Sequence, residues 1–494
     1  MKNKKIILIF CGAKGKGVRL PLAVLVLARP LIDAGFGVEL FDLRVEKFFL
    51  KNPKDVLLMG VSAWTGKHSI PQAIEVSRKI KKINPEIPIV WGGPHATSLP
   101  EETANNKYID IVVRGAGEEC LLELANKIYR NKDISGVKGI TYKKNGQVIS
   151  TQDRDIPNIN KITHLPYDLL KLSRYPALRY NFDYLSSVGC PHRCMFCSEP
   201  FFSKRKWNAK DNEVMAAELD YIVKKFNPER IVINDSNFFV NKNRVLKFCR
   251  NKIERGYKFK IHAECRIDYF SKYDSETLLL LHRAGFSEIL FGGESGSDRT
   301  LQFIKKDITS EQILKSVKKT KDFDITPVIS FMIGFPEENQ KHRLKTIEIY
   351  DRIMKINPKA RINGIRVLTP FPCTGLYDYV KEKHHFHPPE TLEEWGKYTL
   401  YETNYATWLS KKELDIIKNI SIVARYFYVF KLLKSWSLRE LVARHHSLLR
   451  GVASVFFNHL FYLPAVFRWK LRYFNNAVEF HLWNRILQAF TGKK

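Results

Sequence analysis

Three cysteines, Cys190, Cys194 and Cys197, lie within eight residues and give the spacing Cys-x3-Cys-x2-Cys. They follow an apolar run that predicts a β-strand, so the thiols are expected in a loop at the carboxyl end of that strand. Three thiolates on one loop can bind three irons of a cubane iron–sulfur cluster and leave the fourth iron open to a substrate. A structural zinc site is the alternative, but zinc favours a fourth protein ligand and a second Cys-x2-Cys pair, which the sequence lacks.

The cysteine loop has to be positioned by a series of strands and helices that runs from Tyr184 to about Val380. Apolar runs predict strands at 184–188, 230–234, 260–264, 288–291, 326–333 and 361–368. Apolar stripes at helical spacing separate them, and Leu219, Ile222 and Phe226 belong to one such stripe. Six strands that alternate with helices predict an open or partial barrel of parallel strands.

Another series of strands and helices precedes the barrel, from Lys4 to about Arg130. Its predicted strands are 6–10, 38–41, 56–61, 87–91 and 109–113. The pattern predicts a doubly wound parallel sheet, in which a ligand lies at the carboxyl ends of the strands. We therefore expect four regions: an amino-terminal domain at 1–130, a linker at 131–183 with a turn at Asn145-Gly146, the barrel at 184–385, and a mainly helical region at 386–494.

Six segments, in order along the chain, resemble the radical S-adenosylmethionine (SAM) superfamily, and within it the subgroup with an amino-terminal cobalamin-binding domain. The segments are 189–198, 234–238, 266–268, 291–297, 334–338 and 370–374. The first reads Gly-Cys-Pro-His-Arg-Cys-Met-Phe-Cys-Ser, and the fourth reads Phe-Gly-Gly-Glu-Ser-Gly-Ser. The resemblance implies an α/β chain with a Rossmann-like cobalamin-binding domain, a partial (β/α)6 TIM-like radical SAM barrel and a mainly helical carboxyl-terminal region.

The resemblance also implies a [4Fe–4S] cluster on the three cysteines, with SAM bound to the open iron. Reductive cleavage of SAM then gives a 5′-deoxyadenosyl radical that abstracts hydrogen from an unactivated carbon, chemistry that only cofactors carry. The residues that the family pattern assigns to SAM are Phe196, Asp235, Arg266, Glu294, Ser295 and Met332. Structural roles stay open for some of them, because Gly292-Gly293 can make a tight turn and Arg266 can pair with Asp268.

Small residues after the amino-terminal strands resemble the loops that hold the nucleotide tail of cobalamin, where they let the cofactor approach the backbone. The residues assigned to the tail are Ser62, Thr65, Gly92, Gly93 and Gly115. The family's Asp-x-His-x-x-Gly fingerprint is absent, since residues 11–16 read Cys-Gly-Ala-Lys-Gly-Lys, and no histidine is expected to ligate the cobalt. A second departure is Cys373, which stands where the family has glycine.

Methyl transfer to an unactivated carbon is the activity that the resemblance implies first, with two SAM consumed per product. A reductant such as flavodoxin or ferredoxin is implied with it. Radical cyclisation or oxidation, as in the oxygen-independent Mg-protoporphyrin ester cyclase, is the alternative, and no residue separates the two. A cobalamin-dependent sensor is a third hypothesis, but a sensor needs no open iron. The catalytic residue that acts on the substrate is left unassigned.

Composition favours a reducing compartment and an anionic partner. Eight cysteines in 494 residues are too few for a disulfide scaffold, and the apolar run 6–10 is too short for a signal peptide, so a cytoplasmic protein is expected. The formal charge is 81 − 51 = +30, which suits phospholipid or nucleic acid. No RNA-binding module is recognisable, so nucleic acid is not the expected partner.

The residues 431–494 combine basic charge with aromatic rings. Lys and Arg number 11 against Glu440 and Glu479, and twelve Phe, Tyr and Trp residues are interleaved with them. Basic residues attract anionic headgroups, and Trp and Tyr favour the bilayer interface. We therefore expect peripheral contact with the inner face of the membrane and a hydrophobic lipid or pigment substrate. Pro464 argues against a spanning helix, and a helical cap over the barrel mouth is the alternative.

Overall fold

The amino-terminal part of the chain is built on one twisted sheet. The computed structural model describes residues 4–15, 18–399, 405–435 and 463–480. The strands are β1 Lys5–Phe10, β2 Gly37–Asp42, β3 Val56–Ser62, β4 Ile89–Gly92, β5 Ile111–Val113, β6 Ile140–Lys144 and β7 Gln147–Ser150. Their order in the sheet is β2-β1-β3-β4-β5-β6-β7, and β1 to β5 run parallel. The predicted doubly wound fold is confirmed.

Helices cover both faces of this sheet because its strands are apolar on both. The helices are α1 Leu22–Asp33, α2 Ile70–Ile83, α3 Pro94–Ser98, α4 Pro100–Asn105 and α5 Glu118–Tyr129. In β1, Ile6 and Leu8 pack in the cluster that contains α1 and α5, whereas Ile7 and Ile9 pack in the cluster that contains α2. Burial on both faces is typical of a parallel sheet, and it leaves the carboxyl ends of the strands as the edge open to ligands.

The segment 131–183, predicted as a linker, adds two strands to the sheet. β6 pairs antiparallel with β5, and β7 pairs antiparallel with β6. Asn145 and Gly146 join them with φ angles of 53° and 79°, the two positive values of a type I′ hairpin turn. The turn was predicted, but the strands were missed because β7 is mostly exposed and has no apolar run.

The first strand predicted for the barrel region is two separate strands in the structure. Its strands are β8 Phe182–Tyr184, β9 Ser187–Gly189, β10 Trp207–Ala209, β11 Arg230–Ile233, β12 Lys260–Cys265, β13 Phe286–Glu294, β14 Thr326–Ile333 and β15 Arg361–Val367. The predicted strand 184–188 is split between β8 and β9, and β9 pairs antiparallel with β10. In the described chain the other six strands form one parallel sheet in chain order, which is the predicted partial barrel.

Helices alternate with the strands of the barrel region, and several of them pack on the outer face of its sheet. In chain order the helices from here to the carboxyl-terminal region are α6 Glu199–Phe202, α7 Asn212–Phe226, α8 Lys242–Glu254, α9 Ile267–Phe270, α10 Ser275–Arg283, α11 Asp298–Phe303, α12 Ser310–Asp322, α13 Gln340–Ile356, α14 Gly375–His384, α15 Leu392–Trp395 and α16 Lys411–Ser435. A further helix spans 463–471. Short 3-10 helices occur at Pro53–Asp55, Ile159–Lys161, Tyr167–Leu169, Leu172–Arg174, Pro176–Arg179 and Phe238–Val240.

The inner face of the barrel sheet is largely polar. Along β12 and β14, fully buried residues alternate with more accessible ones, and the buried set packs under the helices. The accessible set faces inward, and we call the space that it encloses the lumen. Residues on the lumen wall are Asp183, Asn234, His262, Glu264, Glu288, Leu290, Val328, Ser330, Met332, Arg361 and Arg366.

The described part of the carboxyl-terminal region packs along the edge strand β15. The Ser421 hydroxyl donates to the Ile365 carbonyl at 2.8 Å, so α16 covers this edge. Trp469 is buried between Tyr350 and Phe427, with ring centroids 4.8 and 4.9 Å away. Residues 411–435 and 463–480 therefore cover the side of the barrel, and the alternative of a cap over its mouth falls mostly on residues 431–494 that lie outside the described part of the chain.

Seven of the twelve aromatic residues on which the prediction of membrane contact depends lie beyond the described residues. Trp436, Phe456, Phe457, Phe461, Tyr462, Trp483 and Phe490 belong to the undescribed part of the tail. Of the described rings, Trp469, Phe474 and Phe480 are buried, whereas Phe467 is 65% exposed. No helix among the described residues has the length and apolar character that crossing a bilayer requires. Membrane contact stays a prediction.

Candidate functional site

The cysteine loop leaves β9 at Gly189, where only glycine fits. Gly189 has a φ of 85°, and a Cβ atom there would lie 2.2 Å from the carbonyl oxygen of Lys206. Further along the loop, the Met195 N–H donates to the Ile304 carbonyl at 2.9 Å, and the Met195 carbonyl accepts from the Leu376 N–H at 2.8 Å. These bonds hold the loop between the end of α11 and the start of α14.

Two buried cations lie beside the thiols of this loop. Arg266 Nη1 donates to Cys194 Sγ at 3.3 Å, and the charge of Lys306 acts on Cys197. Burial raises the pKa of the Cys197 thiol to about 12, whereas a nearby cation favours the thiolate. In the described chain, no group of three or more His, Cys, Asp and Glu side chains could hold a single metal ion. Three sulfur donors on one loop suit a cluster, in which each thiolate binds a different iron.

Glu294 and Lys306 form a buried ion pair at the end of β13. Lys306 Nζ lies 2.8 Å from Glu294 Oε1, and Glu294 has a φ of 59°, which is uncommon for a residue with a side chain. A Cβ atom on Gly292 would lie 2.2 Å from Glu294 Oε1 and 2.6 Å from Lys306 Nζ. Gly292 therefore makes room for the pair. Burial lowers the pKa of Lys306, but Glu294 and Cys194 outweigh it and raise that pKa above its usual value.

Asp235, predicted to bind SAM, is engaged with the strand that leads to the cysteine loop. Its side chain is fully buried. Asp235 Oδ1 accepts from the Ser186 N–H at 2.7 Å, and Oδ2 accepts from the hydroxyls of Ser186 and Ser187 at 2.6 Å each. Arg244 donates to the Ser186 hydroxyl from the other side at 2.8 Å. Asp235 thus fixes the break between β8 and β9 from which the loop departs.

The side chains of Ser295 and Arg266 also form hydrogen bonds and ion pairs with other residues of the protein. The Ser295 hydroxyl lies 3.2 Å from Thr346 Oγ1 and accepts from the Ser297 N–H at 3.1 Å, so it holds β13 against α13. Arg266 pairs with Asp268 at 2.9 Å, as the structural alternative foresaw, and contacts Cys194 as well. Arg266 therefore belongs to the cysteine site, whereas the Ser295 hydroxyl points into the core.

Phe196 and Met332, the other two residues assigned to SAM, lie on accessible surfaces. The Phe196 ring is half-buried, with Lys306 Nζ 5.8 Å and the Phe335 ring 6.4 Å from its centre. Met332 lies in the lumen wall, in register with Arg366 of β15. The structure thus brings Phe196, Arg266 and Glu294 together beside the cysteines and places Met332 on the lumen side.

Glu264 is a carboxyl in the lumen wall that the sequence did not single out. Its side chain is exposed to the lumen, and the surrounding protein encloses that space. Burial raises the pKa of Glu264 to about 7, against the opposing effects of His262, Arg19 and Lys306. This carboxyl can therefore hold or release a proton near neutral pH.

An apolar cavity of about 270 Å³ lies at the carboxyl ends of β1, β3, β4 and β5, between α1 and α5. Four of the five residues assigned to the cobalamin tail line it, namely Ser62, Gly92, Gly93 and Gly115. Gly93 has a φ of 94°, and a Cβ atom there would lie 2.9 Å from the Ala63 carbonyl oxygen. We call this space the tail cavity. Its position matches the rule that doubly wound sheets bind ligands where the strand order reverses.

Thr65, the fifth of these residues, does not line the tail cavity. Its hydroxyl lies 3.2 Å from Nδ1 of His95, and both residues are buried. Burial lowers the pKa of His95 to about 4, so the ring is neutral at neutral pH, and it packs against Trp395 at 5.7 Å. His95 therefore serves the packing of its loop, and the absence of a histidine ligand to cobalt stays a prediction.

The two domains meet at the carboxyl ends of their sheets. The Leu20 N–H donates to Asp183 Oδ2 at 2.9 Å, and Arg19 donates to Asn234 Oδ1 at 3.0 Å. Leu185, which lies just before β9, lines the tail cavity of the other domain. The tail cavity and the lumen are therefore neighbours across one junction.

A bridge segment, residues 386–399, strengthens this junction. The Lys67 N–H donates to the Tyr398 carbonyl at 3.0 Å, and Trp395 Nε1 donates to Glu102 at 3.2 Å. Across the same junction, Cys373 Sγ lies 3.2 Å from the Ser98 hydroxyl. Cys373 has a φ of 64°, a conformation that glycine adopts most readily, which explains why the family has glycine at this position.

Comparison with protein families identifies both domains. Residues 10–125 match the B12 binding domain, and residues 184–349 match the Radical SAM superfamily. The chain is a radical SAM enzyme with a B12-binding domain. The glycines of the tail cavity fall inside the first match, and the cysteine loop falls inside the second.

Relatives of this radical SAM enzyme include methyltransferases and a cyclase. It is 28% identical to the protein named uncharacterized methyltransferase PH0819 of Pyrococcus horikoshii, over 86% of this chain and 90% of that one. It is 25% identical to the anaerobic magnesium-protoporphyrin IX monomethyl ester cyclase of Synechocystis sp., over 78% of each chain. Identity to the hopanoid C-2 methylase of Rhodopseudomonas palustris is 23%, over 60% of this chain and 53% of that one.

A solved structure shares the fold of the radical SAM enzyme. The cobalamin-dependent radical enzyme OxsB, with aqua-cobalamin and SAM bound, superposes with a TM-score of 0.73 at 17% identity, over 99% of this chain and 75% of that one. The residues described above fit the cofactors of both families: three thiols on one loop suit a cluster, and a glycine-lined apolar cavity suits the cobalamin tail. The cofactors of the enzyme are a [4Fe–4S] cluster, SAM and cobalamin.

Three residues of the site escaped the sequence prediction. Lys306 follows α11 and meets Glu294 only through the fold, and no local pattern marks it. Glu264 stands at an accessible position of an alternating strand, a signal that could have placed it in the lumen. Glu118 lies in the segment 114–119, which resembles the tail loops as a whole, but Gly115 alone was assigned to the tail from that segment.

Proposed function

We propose that this radical SAM enzyme transfers a methyl group to an unactivated carbon of a hydrophobic substrate bound in the lumen. The observation that carries the proposal is the shared junction, where Leu185 borders the tail cavity and Arg19 reaches Asp183 in the lumen wall. When bound, the cofactors supply a carbon-centred radical and a methyl group. Two of the relatives, a methyltransferase and a hopanoid methylase by name, agree with this reaction.

The lumen wall supports a substrate that is apolar in its body and carries one polar group. Leu290, Val328 and Met332 offer apolar surface on adjacent strands, while Glu264 offers a carboxyl that takes up or releases a proton near pH 7. We infer that Glu264 binds a hydrogen-bonding group of the substrate and so fixes which carbon faces the cysteine site. A lipid, a pigment or a natural product with a polar substituent meets this description.

Radical cyclisation or oxidation is the second candidate, favoured by the similarity to the cyclase over 78% of each chain. The two candidates differ in the fate of the methyl group of SAM. Methyl transfer consumes one SAM as a methyl source and one as a radical source, so S-adenosylhomocysteine and 5′-deoxyadenosine form together. Cyclisation or oxidation needs only the radical source.

An isotope experiment separates the two candidates. The anaerobically reconstituted enzyme is incubated with reductant, trideuteromethyl-SAM and a lipid and pigment extract of the source cells, and products are followed by mass spectrometry. We expect a product that carries one trideuteromethyl group, with S-adenosylhomocysteine and 5′-deoxyadenosine formed in equal amounts. A product without the label, formed with 5′-deoxyadenosine alone, would contradict methyl transfer and support the second candidate.

The proposed electron donor is flavodoxin or ferredoxin. Exposed basic residues flank the cysteine loop, namely Arg193, Lys204, Arg205 and Lys206. Three of them pair with the carboxylates of Asp307, Asp153 and Asp155 at the surface. An acidic protein surface can compete for such exposed cations, and complementary charges speed the encounter. An acidic electron carrier docked there would stand next to the cluster that it reduces.

Contact with a membrane surface belongs to the same proposal. In the helix 463–471, Leu463, Phe467 and Leu471 recur at a spacing of four residues and are 46%, 65% and 73% exposed. This spacing places them on one face of the helix. An apolar face flanked by the exposed Lys470 suits the headgroup region of an anionic bilayer, from which a hydrophobic substrate reaches the enzyme.

A further inference from the structure

The tail cavity has an apolar wall with few polar atoms. Among the described residues that line it, Ser62, Trp91 and Glu118 carry polar side-chain atoms. Trp91 is already engaged, because its Nε1–H donates to the Ser77 hydroxyl at 2.9 Å. Glu118 is the one ionisable side chain among the described residues that line the cavity, and the family pattern gave it no role of its own.

Glu118 begins α5 and turns one carboxylate oxygen into the protein. The residue keeps partial exposure, but its Oε2 atom is buried and has no hydrogen-bond partner in the described structure. Burial raises the pKa of Glu118 above its ordinary value, although the backbone N–H of the residue acts in the opposite direction. A carboxyl that holds its proton has an O–H donor, and a hydrogen bond from that donor to a ligand acceptor itself favours the protonated form. Buried polar groups are nearly always hydrogen-bonded, so this oxygen, on a residue that lines the cavity, is available to a ligand atom.

The nucleotide base of cobalamin has the matching chemistry. Dimethylbenzimidazole is a flat and mostly apolar ring system, and it has one imine nitrogen that is a free acceptor when the base does not coordinate cobalt. An apolar cavity with one hydrogen-bond donor is complementary to such a ring. Ser62 and the glycines at 92 and 93 border the same space, so the ring can approach the backbone closely.

We propose that Glu118 recognises the lower base of cobalamin by donating a hydrogen bond from its carboxyl group to the imine nitrogen of that base. Glu118 is thus a specificity residue for the base and not for the corrin ring. A cobamide whose base lacks a ring nitrogen would leave the carboxyl without a partner. The proposal rests on the tail of cobalamin occupying this cavity.

Binding titrations with three corrinoids test the proposal on the full-length protein. The ligands are hydroxocobalamin, a cobamide with p-cresol as its lower base, and cobinamide, which has no base. Dissociation constants are measured by absorbance for the wild type, Glu118→Leu and Glu118→Gln, with Glu119→Leu as the matched control at the exposed neighbour. We expect the wild type to prefer cobalamin to the p-cresol cobamide by about tenfold or more, the size expected for one lost partner of a buried polar group.

The variants show which group causes this preference. Glu118→Leu should lose it, Glu118→Gln should keep most of it because an amide also donates, and cobinamide affinity should stay the same in all proteins. Equal wild-type affinity for the first two ligands would overturn the proposal even if the leucine variant fails to fold. Weakening of all three ligands alike in Glu118→Leu would show a packing role instead. A wild-type protein that binds none of them would contradict the cobalamin assignment itself.

Discussion

Replacing Cys190, Cys194 and Cys197 together by alanine will remove the iron–sulfur cluster and abolish reductive cleavage of SAM. The wild type reconstituted under anaerobic conditions should hold about four irons and four sulfides per chain, because the loop offers three sulfur donors to one cubane. The triple variant should hold none. Iron and sulfide content and the yield of 5′-deoxyadenosine are the measurements.

The control for this variant is Cys373→Ala. Cys373 lies in the segment after β15 and contacts Ser98 across the domain junction, so it is a thiol outside the cysteine loop. This variant should keep the cluster and form 5′-deoxyadenosine at the wild-type level. A triple variant that is folded by circular dichroism and still cleaves SAM would refute the assignment of the cysteine loop.

Placing a leucine at Gly92 will block cobalamin binding and leave the cluster intact. Gly92 lines the tail cavity, and a Cβ atom there would have ordinary contacts at 3.7 and 4.0 Å with Val113, so the backbone accepts a side chain. The rest of the leucine would occupy space that the cobalamin tail needs. Overpacking costs about 1–3 kcal/mol, which raises the Kd for hydroxocobalamin by about 5- to 150-fold.

Gly136→Leu is the matched control for the blocking variant. Gly136 is exposed, and no atom lies within 4 Å of the position of its Cβ. It should bind hydroxocobalamin like the wild type. Both variants should keep their iron content and form 5′-deoxyadenosine, because neither touches the cysteine loop. Unchanged cobalamin affinity in Gly92→Leu would show that the cobalamin tail does not occupy the tail cavity.

The parts of the site that the sequence predicted are those whose chemistry depends on local spacing. The cysteine loop needs three thiols on a short segment, and Gly92, Gly93 and Gly115 must be small wherever the tail lies beside the backbone. Such requirements act on residues that are close together in the sequence, so they can be recognised from the sequence alone. The succession of strands and helices along the chain followed from the same logic, because apolar runs alternated with helical stripes in both domains.

The parts that escaped depend on how distant segments meet. Ser295 and Glu294 are neighbours at the end of β13, but a shift in strand register and the left-handed backbone of Glu294 send their side chains to different partners. Lys306 belongs to the site because it pairs with Glu294, and Asp235 has a structural role because it accepts hydrogen bonds from Ser186. None of these contacts follows from the spacing of residues along the chain.

Electron paramagnetic resonance tests most directly the central claim, that the cluster and cobalamin face one junction. The cob(II)alamin spectrum of the reconstituted enzyme is recorded with the cluster oxidised and then reduced, and the triple cysteine variant serves as the control without a cluster. We predict that reducing the cluster broadens the cob(II)alamin signal or shortens its relaxation time in the wild type alone. A spectrum that is the simple sum of two independent signals would contradict a shared site.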